Sequence, residues 1–201
     1  MADIIHISTY ELSQIDKKEV MRYAGAKEPS DELNSLIDSC ISEIETNLTY
    51  KVCHTELPIR ITDSGIDLGF TTVTSKNLRK NLENCGSVVL FGATIGIAID
   101  RLIARYNRIS PSRALIFQAI GAERIEALCD RFNAEITETM RTLGKSTRPR
   151  FSPGYGDLPL EFQREIFGIL DCPRRIGLTL NDSMLMSPSK SVTAIIGIVS
   201  E

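Results

Sequence analysis

The residues with the most chemistry in them occupy one stretch, Arg148-Pro149-Arg150-Phe151-Ser152-Pro153-Gly154-Tyr155-Gly156. A guanidinium is a planar, permanently charged fork of donors that pairs bidentately with carboxylate or phosphate, so Arg148 and Arg150 offer two anchors for an anionic group. Pro153, Gly154 and Gly156 predict a turn in which the missing side chains let a ligand approach main-chain groups near Ser152 and Gly154. Tyr155 adds a flat ring and a hydroxyl. A ligand carrying a carboxylate, an ammonium group and a purine would use all of these. The same segment also reads as a proline-rich connector whose arginines pair with nearby surface acids.

Glu126 lies in a helical pattern beside Ile125, Leu128 and Cys129, so its carboxylate projects from the edge of an apolar face and can accept from an ammonium. A surface pair with Arg124 or Arg131 is the competing assignment. The order Ser87-to-Phe91, Gly92-to-Gly96 and then a helical pattern has the sense of strand, glycine turn and helix, which can seat a phosphate. It lacks a third glycine in dinucleotide spacing, a Gly-Lys-Ser/Thr and a ribose-gripping acid, so a tightly packed turn is favoured. Cys40 and Cys129 fall on apolar helical stripes, and Met184 and Met186 alternate with Leu185 as in a core strand.

The elements that must position these groups follow from periodicity. A strand is expected over Ile4–Ile7, a short helix over Lys17–Tyr23, and an amphipathic helix carrying Leu33, Leu36, Ile37, Cys40, Ile41, Ile44 and Leu48 on one stripe. Asp63-Ser64-Gly65 marks a hairpin, and Ser75 an N-cap. A long helix starts at Ser110-Pro111, runs to about Leu143 and stops at Gly144, with Gly121 inside it for close packing. A helix is expected over Leu160–Leu170, and the apolar runs Leu178–Met186 and Ser191–Val199 predict an antiparallel hairpin deep in a sheet. Helices mixed irregularly with hairpins predict an α+β fold with a largely antiparallel or mixed sheet.

Composition narrows the classes. The chain has 201 residues, 42% hydrophobic and 24% charged, which suits one soluble domain over 1–201, with a helical region over 1–50 packing on a core over 51–201. A net charge of -3 offers no electrostatic footprint for nucleic acid. The first twenty residues lack a signal-peptide pattern, and the longest apolar-rich run, 87–99, is too short to cross a bilayer, so a cytoplasmic location without a membrane partner is expected. Five scattered cysteines and two histidines, none in ligand spacing, point away from a disulfide framework and from a metal site.

With these residues in view, a family resemblance emerges. Arg150-Phe151-Ser152-Pro153-Gly154-Tyr155 resembles the Arg-x-x-x-Gly-Tyr signature of the activation domain of cobalamin-dependent methionine synthase. Leu170-Asp171, Arg175-to-Ser183 and Pro188-Ser189-Lys190-Ser191-Val192 follow that domain's order, and Glu126-Ala127-Leu128 resembles its glutamate-bearing helix. The likeness is strongest over 114–198, and the whole resembles the stand-alone form of the domain.

The resemblance implies a twisted, largely antiparallel sheet with long helices packed on it. It implies an accessory protein, incomplete as an enzyme, that binds S-adenosylmethionine and serves reductive methylation of cob(II)alamin in a partner. The partner would be a cobalamin-binding methionine synthase or related corrinoid protein, with a reductant such as flavodoxin or ferredoxin. By position, Arg150 and Tyr155 would hold the ligand with main-chain groups near Ser152 and Gly154, and Glu126 would meet the methionyl ammonium. The family's Thr-Glu-Ser is Asn181-Asp182-Ser183 here, and Ile196 stands where an aromatic residue lies near the ligand. The Asp-x-His-x-x-Gly cobalamin motif is absent, so cobalamin would come only with the partner. A docking module for a corrinoid methyltransferase that binds no cofactor is the second reading.

Overall fold

Two apolar runs with no polar face, 87–95 and 191–199, need cover on both sides. The computed structural model, which describes residues 4–26 and 28–199, sets them side by side near the middle of one sheet. In chain order the elements are β1 (His6–Tyr10), α1 (Lys17–Tyr23), α2 (Asp31–Ile44), β2 (Tyr50–Pro58), β3 (Arg60–Thr62), β4 (Gly65–Asp67), β5 (Thr72–Val73) and α3 (Lys76–Asn81). They continue with β6 (Cys85–Thr94), α4 (Ala98–Ile109), α5 (Pro111–Thr142), β7 (Ser146–Thr147), α6 (Gln163–Leu170), α7 (Cys172–Ile176), β8 (Thr179–Leu180), β9 (Met186–Ser187) and β10 (Ser191–Val199). The main sheet has five strands in the order β1-β2-β6-β10-β7, every neighbouring pair antiparallel. The fold is α+β, as expected, with β3-β4-β5 and β8-β9 as small satellite sheets.

Strand alternation assigns each face its partners. Val89, Phe91 and Ala93 of β6, with Ala194, Ile196 and Ile198 of β10, pack toward α5 and the helices α1, α2 and α4 grouped around it. Val88 and Leu90, with Ile195, pack toward α3, α6 and α7. On the first face the ring of Phe132 of α5 lies tilted against its neighbours, its centroid 4.8 Å from that of Phe91 and 5.1 Å from that of His54. Buried Arg124 fixes the segment before α1 by pairing with Glu123 and donating to the Ser13 carbonyl at 2.7 Å.

The long helix spans 32 residues, or about 48 Å at 1.5 Å per residue. Ser110 stands at its N-cap but makes no side-chain cap bond, while Gly144, at φ 71°, ends it as expected. Gly121 admits a close neighbour: a methyl there would lie 2.8 Å from Lys190 Cγ, so the lysine stem crosses the helix at this point.

Several expectations are corrected. The first strand covers His6–Tyr10 rather than Ile4–Ile7, because residues 6–10 face Tyr50–His54 in register. Gly92 is not in a turn: β6 runs on to Thr94, and Gly92 makes room beneath it, where a methyl would sit 3.1 Å from Cys172 Sγ. Gly96 alone turns the chain, and this segment forms no glycine loop. The C-terminal runs do not pair with each other. Asn181 Oδ1 accepts from the N–H groups of Ser183 and Leu185, both at 2.9 Å, so residues 179–187 close on themselves as β8-β9. β10, free of charged residues, takes the buried place between β6 and β7 instead. Met184, at φ 61°, therefore belongs to a hairpin tip and not to a core strand.

Phe132 is fully buried where α5 meets the sheet. Phe132→Ala is expected to lower unfolding free energy by about 3–5 kcal/mol in denaturant titration, from lost burial and the cavity left behind; a loss under about 1 kcal/mol would move the critical packing elsewhere.

Candidate functional site

After Gly144 the chain returns along the outer edge of β10. Thr147 pairs with Ile198, the Arg148 N–H donates to the Gly197 carbonyl at 2.8 Å, and Phe151 bridges Ile195 in both directions at 2.8 and 2.9 Å. Four steps along this segment match three along β10, a one-residue irregularity that interrupts the ladder at Pro149. The two arginines leave it on different sides. Arg148 donates to the Glu83 carbonyl at 2.9 Å, on the α3 side. Arg150 reaches α5, where Nη2 donates to Glu126 Oε2 and Nη1 to Asp130 Oδ1, each at 2.6 Å.

Glu126 and Asp130 stand one helical turn apart and so share a face of α5. The Glu126 partner is thus Arg150, and neither Arg124, which is held by Glu123, nor Arg131. Burial alone would weaken the Arg150 charge, but the bond to Asp130 and the charges of Asp130 and Glu126 outweigh it and raise its pKa.

Glu126 and Arg150, without Asp130, form one wall of a cleft of about 730 Å³, a size suited to a small molecule. Glu126 and Arg150 line it with Phe151, Ser152, Pro153 and Tyr155; Leu160 and Gln163 follow from the start of α6, and Met184, Leu185 and Met186 from the β8-β9 hairpin. Ser189, Ser191, Val192 and Thr193 close it from β10 and the turn before it. Tyr155 is 70% exposed and Leu185 65%, so the mouth has an apolar rim. Thr193 is 3% exposed, and its hydroxyl has no hydrogen-bond partner among the described residues.

Gly154 is brought to the loop but does not line the cleft. Its φ is 87°, and its N–H donates to the Leu158 carbonyl at 2.9 Å, so it shapes the turn while Ser152 and Tyr155 face the cavity. Ile196, which stands at the position of the aromatic residue in the family pattern, does not line the cleft: it is fully buried and packed toward α5. The thiols offer no ready nucleophile. Burial pushes Cys129 up to about 12 and raises Cys40 and Cys85, while Cys53 and Cys172 are buried against each other at 3.8 Å. Among the described residues no cluster of His, Cys, Asp and Glu is fit to hold a metal, and no helix is long and apolar enough to cross a membrane.

Sequence reasoning missed Asp130, Gln163, Thr193, the β8-β9 residues and Asp157. Asp130 carried a signal, since it lies four residues after Glu126. Asp157 carried none, because its partners lie about eighty positions away: it accepts from Ser75 Oγ at 2.5 Å, Lys76 N–H at 2.7 Å and Asn77 N–H at 3.1 Å. This ties the cleft loop to the first turn of α3, and the Ser75 hydroxyl and Lys76 N–H hold the carboxyl below its usual range.

No family model matches the chain, and no curated protein matches it in sequence. Thirteen solved chains match in structure. One is the crystal structure of the MetH reactivation domain bound to AdoHcy, which superposes with a TM-score of 0.69 over 96% of this chain and 78% of that one. The chain has the fold of that reactivation domain. Sequence identity between them is 13%, so the likeness establishes the fold, and the site rests on this chain's own residues.

Because the Asp157 carboxyl has a depressed pKa, its contribution to stability is complete above the unfolded value near 3.9 and is lost as pH falls through the lower folded value. Asp157→Asn is expected to be less stable than wild type at pH 6, the difference closing as pH falls through the depressed folded value; denaturation curves from pH 6 into acid check it, and a gap that persists at full protonation would contradict the assignment.

Proposed function

We propose that this chain binds S-adenosylmethionine in the cleft between α5, the 150–155 loop, the β8-β9 hairpin and β10, and presents it to a cobalamin-bearing methionine synthase or related corrinoid protein. The observation that carries the reading is the meeting of Arg150 and Glu126, from segments 24 positions apart, at 2.6 Å on the wall of a largely apolar cleft. The structural neighbour was solved with AdoHcy bound, the demethylated form of the same ligand class.

The residues fit such a ligand. Arg150 is a fork for its carboxylate and Glu126, whose Oε2 holds Arg150, has its second oxygen to accept from the ammonium, so the pair offers a partner to each charge of an α-amino acid. Tyr155 offers a ring to the purine, and the unpartnered Thr193 hydroxyl on the cleft wall offers a donor and an acceptor. Met184 and Met186 are flexible, polarisable lining that adapts to a bulky ligand.

The chain's own task is positioning, with four of its five thiols, Cys40, Cys53, Cys129 and Cys172, buried. Bound S-adenosylmethionine would give up its sulfonium methyl and leave as S-adenosylhomocysteine, and the partner's cobalamin, first reduced by one electron from a reductant such as flavodoxin or ferredoxin, would receive it. The apolar rim of Tyr155, Leu160 and Leu185 surrounds the opening through which the methyl must be offered.

Calorimetry with S-adenosylmethionine, with and without a corrinoid protein, tests the reading. Arg150→Ala is expected to weaken binding about tenfold or more, corresponding to roughly 1.5–3 kcal/mol for a charged hydrogen bond. Binding unchanged in a correctly folded Arg150→Ala would place the ligand elsewhere, and no heat from wild type under either condition would end the proposal.

A further inference from the structure

Asp130 is the carboxylate at this site that the proposed ligand does not need. It does not line the cleft, yet it holds Nη1 of Arg150 at 2.6 Å while Glu126 holds Nη2 at the same distance. One guanidinium therefore faces two carboxylates, and the group of three carries a net charge of about -1 in the absence of ligand. That state repels a carboxylate and attracts an ammonium, although the proposed ligand must bring both.

The loop does not depend on Asp130 for its place. Phe151 is bonded to Ile195 in both directions, Asn81 Nδ2 donates to the Pro149 carbonyl at 3.1 Å, and Asp157 ties the far end of the turn to α3. Glu126 still orients the guanidinium when Asp130 is released. The Asp130 side chain is 72% exposed against 25% for Arg150, so on release it returns to water at little cost.

We infer that Asp130 is an intramolecular stand-in for the ligand's carboxylate: it occupies the Arg150 arm that the ligand needs and so sets how strongly the cleft selects carboxylate-bearing ligands. This rests on the reading of the cleft as an S-adenosylmethionine site. Binding is then an exchange in which the Nη1 bond to Asp130 breaks and one to the ligand carboxylate forms, with the count of charged hydrogen bonds unchanged. The protein carboxylate thus masks most of the advantage a carboxylate would otherwise confer. A ligand without one makes no exchange and is not held back.

The test compares two sulfonium ligands that differ only in the carboxylate, S-adenosylmethionine and its decarboxylated form, on wild type, Asp130→Asn, Asp130→Ala and Asp130→Asn/Arg150→Ala. Removing Asp130 is expected to tighten S-adenosylmethionine about tenfold, the order of one charged hydrogen bond gained. The decarboxylated ligand should be unchanged or slightly weaker, since the site loses a negative charge. The double variant should lose the gain, and thermal melts confirm folding of each protein. If wild type binds S-adenosylmethionine and Arg150→Ala weakens it, but Asp130→Asn leaves it equal or weaker, or shifts both ligands alike, this inference falls and the cleft assignment stands. If no variant binds S-adenosylmethionine, both fall.

Discussion

The packing of α5 across the central strands is the contact on which the other elements depend. Phe132 wedges between Phe91 and His54, with Leu128, Cys129 and Ile136 buried along the same side of the helix. A helix about 48 Å long cannot tilt without dragging every layer packed on it, because close-packed interiors do not deform continuously. That rigidity fixes where Glu126 and Asp130 emerge at the edge of the sheet. The helix is therefore a core element along one side and the wall of the candidate cleft along its border.

The second constraint is the treatment of the loop opposite. Its prolines fix φ at several positions, and three long-range attachments remove most of the freedom that remains: Phe151 to β10, Pro149 to Asn81, and Asp157 to the start of α3. A loop held in this way carries its side chains almost as firmly as a strand does, which lowers the ordering cost of binding. The β8-β9 hairpin differs in kind. It closes on itself through Asn181 and bears Met184, Leu185 and Met186 on an exposed tip, so it supplies an adaptable third side to a cleft whose other sides are fixed.

Local signals in the sequence were reliable wherever one segment determined its own state. The helix starting at Pro111 and ending at Gly144, the Ser75 cap and the Asp63-Ser64 hairpin were all legible, because each depends on neighbours a few positions away. The cleft loop stood out for the same reason. What failed was pairing at a distance. Nothing in Ser191–Val199 says that its partners are β6 and β7 rather than the run just before it, because that pairing is decided by segments far away in the chain. Asp157 shows the limit most clearly: an exposed acid in a turn looks like solvent-facing polarity until the three donors from α3 are seen around it.

The central claim is that one cleft, and no other part of the chain, receives S-adenosylmethionine. Amide chemical-shift mapping during titration with that ligand tests it most directly. The account predicts that the largest shifts fall on Arg150, Ser152 and Tyr155, on residues 184–186 and on residues 191–193, with little change around Gly96. Shifts centred on the Gly96 turn, or none at saturating ligand, would contradict it.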